Sequence, residues 1–289
     1  MLFQIQHTLR YTYDAPVALE PAVLRLTPRS DAGQQLITMH CKVSPEPAGQ
    51  SACVDLDGNQ TVGMWFAGQS DFLAIVTASE VRTLRTNPFD FLLMPASLYQ
   101  LPMGYPPEIL AALMPYLLRS CIAPELDELA GALVREAGGD TVGFLTLVCS
   151  RLAVQIHQQP REAGGPHDAW ATWQAKIGAC RDVSVLFMEL CRSVGLASRF
   201  VSGYVLGILP HVRPELHAWV EVYLPGAGWR GFDPSMGVAV SDRHVAVAGS
   251  AQPENAAPLS GTYRRTGGGS GGAGGSNLWY EVNLRAVAE

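Results

Sequence analysis

The chain has 289 residues, nearly half of them hydrophobic and 16% charged, with a formal net charge of −6. That composition excludes a disordered polymer, supports one large domain or two modest ones, and, with no run of Lys and Arg, argues against a nucleic-acid partner. No apolar stretch reaches the roughly 18 residues of a spanning helix, and MLFQIQHTLR lacks the charged start and apolar core of a signal peptide, so the expectation is a cytoplasmic protein with no membrane association and reduced thiols.

The first hundred residues read as β structure. In FQIQHTLRYTYD, the positions Phe3, Ile5, His7, Leu9, Tyr11 and Tyr13 alternate with polar residues, the period of a half-buried strand. Further strand candidates are AVLRLTP, QLITMHCKV, SACVDL, TVGMWFAG and DFLAIVTASEVRTL, with a turn at Asp57, Gly58 and Asn59. Short strands separated by polar turns predict an antiparallel β-sandwich-like or barrel-like module over 1–100.

From about residue 107 the period becomes helical in ILAALMPYLLRS, ELDELAGALVREAG and TVGFLTLVCSRLAVQIHQ, the last with Asp140 and Thr141 as candidate caps. REAGGPHDAW reads as a loop. A further helix begins near Cys180, with Val183, Leu186, Phe187, Leu190 and Val194 as its stripe and Gly195 placed to end it. Strands return in SRFVSGYVLG, HAWVEVYL and WRGFDP, and LWYEVNLRAV closes the chain. The run GGGSGGAGGS at 267–276 is a flexible loop and not a dinucleotide fingerprint, because no strand feeds it and no helix follows.

The cysteines stand at 41, 53, 121, 149, 180 and 191, with no CxxC or other tight metal-ligand spacing. Five are expected to be ordinary small core residues. Cys180 differs, because a helix start offers unpaired N–H groups and a dipole that favour a thiolate and a developing oxyanion. Gly178 before it lets the backbone turn tightly and lets a substrate approach. Cys191 lies about three helical turns further on and is too far to act as a resolving thiol.

A base and an orienting acid are available. HAWVEVYL, PGAG and WRGFDP read as a hairpin in which His217, Trp219, Glu221 and Tyr223 share a face. A loop of three or five residues pairs Tyr223 with Trp229 and Trp219 with Asp233, which leaves Asp233 diagonal to His217 at roughly 7–8 Å between backbones. A loop of two or four residues puts them on opposite faces. The candidate catalytic residues are therefore Cys180 as nucleophile, His217 as base and Asp233 as its orienting acid. Among weaker candidates, Asp182 is expected to pair with Arg181 or Arg199 or to cap the helix. Trp219 is expected to pack beside the triad, Trp173 and Gln174 to pack within a helix or loop, with oxyanion donation as the alternative for either, and Tyr204 to line a cleft.

GACRDVSVLFMELCRSVGLASRFVSGY followed by HAWVEVYLPGAGWRGFDPS closely resembles the core of bacterial transglutaminase-like proteins, a family often labelled as cysteine proteases. The match to its G-x-C-R/Q-D, C-R-x-x-G-x-x-x-R-x-V-S-G-Y, H-A-W-x-E and F-D-P-S/T pattern runs from about 178 to 235. HTLRYTYDAPVALEPAVLRLTPR resembles the β module that precedes this core, and HVAVAGSAQPENAAPLSGTYRR resembles a segment downstream of the aspartate. Two stretches depart from the pattern. GSAQPENAAP replaces an acidic and basic cluster, and HDAWATWQAKIGAC is only loosely similar. The resemblance implies an α+β, papain-like core over 101–289, with helices packed on an antiparallel sheet and a Cys180–His217–Asp233 triad.

The expected chemistry is attack on an amide through a thioester acyl-enzyme. Hydrolysis of a peptide, protein or small amide is the leading outcome and transamidation the other. No cofactor or metal is expected. The alternatives are a binding module that keeps the fold, which equal, slow labelling of all thiols favours, and a zinc site on the same three residues, which elemental analysis tests.

Overall fold

The computed structural model describes residues 1–95, 99–161, 164–207, 216–265 and 275–287. The alternation that opens the chain continues past its expected end: β1 runs Leu2–Leu24 and absorbs the start of AVLRLTP. In its first half Phe3, Ile5, His7 and Leu9 are the buried positions, as a period of two requires. β2 (Gln34–Ser44), β3 (Gly49–Val54), β4 (Gln60–Trp65) and β5 (Ser70–Thr83) follow. Their order is β2-β5-β1-β4-β3. The first half of β1 pairs with β5 and its end with β4, with a register shift between Thr12 and Val17. Leu9, Leu73 and Ile75 from one half meet Ala22, Leu24 and Met64 from the other in a single buried cluster. The module is thus one hydrogen-bonded network bent onto itself, not two separate sheets.

Five helices begin the second part: α1 (Pro107–Leu117), α2 (Pro124–Glu136), α3 (Thr141–Gln155), α4 (Ala169–Ala175) and α5 (Cys180–Ser193). Asp140 caps α3 by accepting from the Gly143 N–H, as expected. α4 begins within the segment expected to be a loop, and Asp168 caps it by accepting from Trp170 and Ala171. Its seven residues are too few to display a hydrophobic period.

α5 is the central helix. Val183, Leu186, Phe187 and Leu190 are fully buried, each worth about 1.5–3 kcal/mol against exposure. Its buried polar residues find partners. Glu189 accepts from the Ser120 N–H and hydroxyl, and Arg192 donates to the carbonyls of Tyr116, Leu118, Ser198 and Ala251. Gly195 ends the helix at φ +79°, where a side chain is strained and would meet the Met103 carbonyl at 2.5 Å.

The remaining strands are β6 (His157–Gln158), β7 (Ile177–Gly178), β8 (Ser198–Val205), β9 (Leu216–Leu224), β10 (Gly228–Asp233), β11 (Val238–Ala239) and β12 (His244–Ser250). β6 and β7 form a short parallel pair; the others form an antiparallel sheet of order β11-β10-β9-β8-β12. Ala218, Val220, Val222 and Leu224 of β9 join the helical core, whereas Trp219 packs with Val201 and Ala246. Among the described residues no helix is long and apolar enough to cross a membrane.

The two parts are joined tightly. β13 (Leu259–Arg265) and β14 (Ser276–Val287), read from the sequence with the 101–289 unit, pair with β1, the latter from Leu2↔Val287 to Tyr13↔Ser276. The glycine run between them lies, up to residue 274, outside the described residues. Side-chain amides cover the outer edge of β12. Gln34 bonds the Ala246 N–H and carbonyl, and Asn59 bonds those of Gly249, so no bare strand edge is left there. Tyr204, expected to line a cleft, is instead buried with its hydroxyl 2.9 Å from His7 Nδ1.

Candidate active site

Cys180 is the first residue of α5 and is partly exposed. The first helical hydrogen bonds, from the Asp182 and Val183 N–H groups, go to the Ala179 carbonyl. The Cys180 N–H precedes them and points the positive end of the helix toward the thiol.

Asp182 secures this start. Fully buried, it accepts from the Ala179 N–H at 2.8 Å, the His167 N–H at 2.7 Å and both Arg161 terminal nitrogens at 2.7 and 3.0 Å. The capping role is as expected; the partner is not. Arg161, rather than Arg181 or Arg199, neutralises the charge. Burial would raise the Asp182 carboxyl, but these donors outweigh it and lower it. Gly178 has a different reason from the tight turn expected of it. A Cβ there would meet Asp182 Cβ at 3.1 Å and Thr172 Cγ2 at 3.2 Å, so glycine lets β7 press against the cap.

The hairpin has the three-residue loop that the parity argument requires. Leu224 pairs with Gly228, Tyr223 with Trp229 and Val220 with Phe232. His217 and Asp233 therefore share a face, and His217 Nε2 lies 2.7 Å from Asp233 Oδ2. The Cys180 thiol is close enough to the same imidazole to help raise its pKa. With Nε2 engaged by the carboxylate, Nδ1 is the nitrogen left for sulfur.

Asp233 is fully buried. Its Oδ1 accepts from the Ser235 hydroxyl at 2.6 Å and the Ser235 and Met236 N–H groups at 3.1 and 3.2 Å. Burial would raise its carboxyl, but His217 and His244 outweigh it and hold it far below the usual carboxylate range. Burial would likewise lower His217, but Asp233 and then Cys180 hold its pKa well above the ordinary imidazole value. The arrangement favours a proton on the imidazole beside the sulfur.

Trp219 is fully buried beside the triad, its ring 6.3 Å from that of His217. Trp173 packs against the core and Gln174 is exposed; the described contacts join neither to Cys180. Cys191 is buried, and burial pushes its thiol well up, so it is inert. The expectation that five cysteines are core residues holds for Cys149 and Cys191 only, because Cys41 and Cys53 are exposed on strands and Cys121 is partly so.

Two groups escaped the sequence reading. Glu221 is buried between Arg29, at 2.5 and 3.1 Å, and Arg199, at 2.8 Å. It ties the N-terminal module to the strand that carries His217. His244 Nε2 lies 3.3 Å from Asp233 Oδ2. The alternation of β9 marked the first position; no local signal marked the second.

Residues 3–82 match the family model described as the bacterial transglutaminase-like N-terminal region, and residues 129–234 match that of the transglutaminase-like superfamily. An uncharacterized protein of Mycobacterium leprae is 24% identical over 294 residues, 99% of each chain. One from Mycobacterium tuberculosis is 23% identical over 276 residues, covering 90% of this chain and 86% of its own. The crystal structure of a "Putative Cysteine Protease from Cytophaga hutchinsonii" superposes with a TM-score of 0.71 at 18% identity, covering 100% of this chain and 92% of that one. It shares the fold.

Proposed function

The chain belongs to the transglutaminase-like superfamily, and from that premise we propose that it is a cysteine-dependent enzyme that cleaves amides through a thioester. The observation that carries the reading is the His217 imidazole bonded at 2.7 Å to the buried Asp233 carboxylate, with the Cys180 thiol near enough to help raise its pKa. Cys180 stands at a helix start, and His217 and Asp233 stand on two paired strands.

His217 Nδ1 takes the thiol proton, and the sulfur attacks the amide carbonyl carbon. The Cys180 N–H donates to the oxyanion that forms. The imidazolium, held by Asp233, then protonates the amide nitrogen. The C–N bond breaks, an amine leaves and a thioester remains. Water, giving a proton to His217, attacks the thioester; acid departs and the thiol is restored. Cys180 is partly exposed, which favours water as the acceptor and hence hydrolysis of a peptide or small amide. An amine in place of water gives transamidation.

The test is a panel of peptide and small-molecule amides, with and without an added primary amine, against wild type and Cys180→Ala. The reading predicts release of amine by wild type only, and mostly acid as the second product. Equal release by Cys180→Ala overturns it.

A further inference from the structure

Two histidines, from β9 and β12, reach the same carboxylate at the end of β10. Asp233 Oδ2 lies 2.7 Å from His217 Nε2 and 3.3 Å from His244 Nε2. An ionised carboxylate oxygen only accepts and has two lone-pair sites, so both Oδ2 sites are filled. Oδ1 is held by the Ser235 hydroxyl and by the Ser235 and Met236 N–H groups. With five donors on a fully buried group, rotation of the carboxylate breaks several bonds at once.

We propose that His244 is a positioning residue of this site, a second imidazole donor that fixes the orientation of Asp233 and so the alignment of His217 with Cys180. The proposal rests on reading these three residues as catalytic. Because the carboxylate only accepts, His244 carries its hydrogen on Nε2. Its Nδ1 is buried without a hydrogen-bond partner among the described residues, so the ring is tied to the site through Nε2. The His244 ring is 6% exposed and stands edge-on to Trp219 at 5.3 Å. The indole is therefore a spacer between the two imidazoles.

The other titratable groups around the carboxylate are Cys149 on α3 and Cys180 on α5, the latter through His217. Arg29, Arg199 and Glu221 line the same cavity of about 260 Å³ as His244, but they are already paired with one another. None of them replaces the His244 donor on Oδ2.

The experiment follows alkylation of Cys180 by iodoacetamide across pH in the full-length protein, with peptide mass spectrometry and near-ultraviolet circular dichroism. His244→Leu removes the donor, whereas His244→Gln can restore one near the position of Nε2. At about pH 6, where an unassisted thiol is nearly inert, the expected result is a loss of at least about tenfold in His244→Leu. Recovery to within about threefold is expected in His244→Gln. Wild-type rates in both variants overturn the proposal, as does an equal fall in both that tracks loss of the folded spectrum. If wild-type Cys180 is no faster at this pH than exposed Cys41, the catalytic reading itself fails, and the proposal with it.

Discussion

Glu221→Gln is a direct test of how the N-terminal module is held to the core. Burial by itself would raise the Glu221 carboxyl, but Arg29 and then Arg199 outweigh it and bring the pKa from 4.5 to about 2. At about 1.4 kcal/mol per pH unit, that difference corresponds to about 3 kcal/mol of folding stability at neutral pH. The general cost of breaking a buried ion pair is about 3–5 kcal/mol, in agreement. The sign follows from the depression. The stabilisation is fully present above 4.5 and is lost as pH falls toward 2. Urea unfolding of wild type and variant should therefore differ by about 3 kcal/mol at pH 7 and by roughly half of that at pH 3, as protonation removes the charge from the wild type. Taking the difference between the two proteins cancels other carboxylates that titrate in the same range. An equal difference at both pH values, or less than about 1 kcal/mol at pH 7, refutes the electrostatic reasoning.

Asp233→Asn should lower amide turnover at least about a hundredfold. It should also move the loss of the His217 imidazolium to lower pH, since burial then acts with less opposition; a pH–rate profile checks both. Asp182→Ala removes the acceptor of four hydrogen bonds at the start of α5. It should cost about 2–4 kcal/mol by chemical denaturation, with slower labelling of Cys180. Gly203→Ala would place a Cβ 2.2 Å from the Val245 carbonyl oxygen and 2.5 Å from the Trp219 ring. It should drive that indole against the site and lower the melting temperature by several degrees or more, read by thermal scan.

The candidates Cys180, His217 and Asp233 were legible because local features mark their positions. Cys180 starts an amphipathic helix and His217 an alternating strand, and the three-residue loop, one of the lengths the sequence left open, puts Asp233 on the face of His217. What was not legible is non-local. Arg29 meets Glu221 across 192 residues, and nothing in either strand announces the other. His244 approaches Asp233 because β12 pairs with β8 and not with its sequence neighbour β11, a choice of topology that hydrophobic period does not encode. The C-terminal strands were placed with the core because they follow it in the chain. Their partner β1 lies at the opposite terminus, and β-pairing leaves no trace of partner in a single strand. Cys41 and Cys53 were read as core because cysteine usually is, yet they fall at exposed positions of β2 and β3.

Cys41 and Cys53 provide an internal control for the central claim that His217 and Asp233 activate Cys180 as a nucleophile. The most direct measurement is the rate of iodoacetamide labelling at each cysteine of the native protein at about pH 6, resolved by peptide mass spectrometry. The account predicts that Cys180 reacts at least about tenfold faster than the two exposed thiols, and that His217→Ala abolishes the difference. Labelling of Cys41 and Cys53 at the same rate as Cys180, or faster, contradicts it.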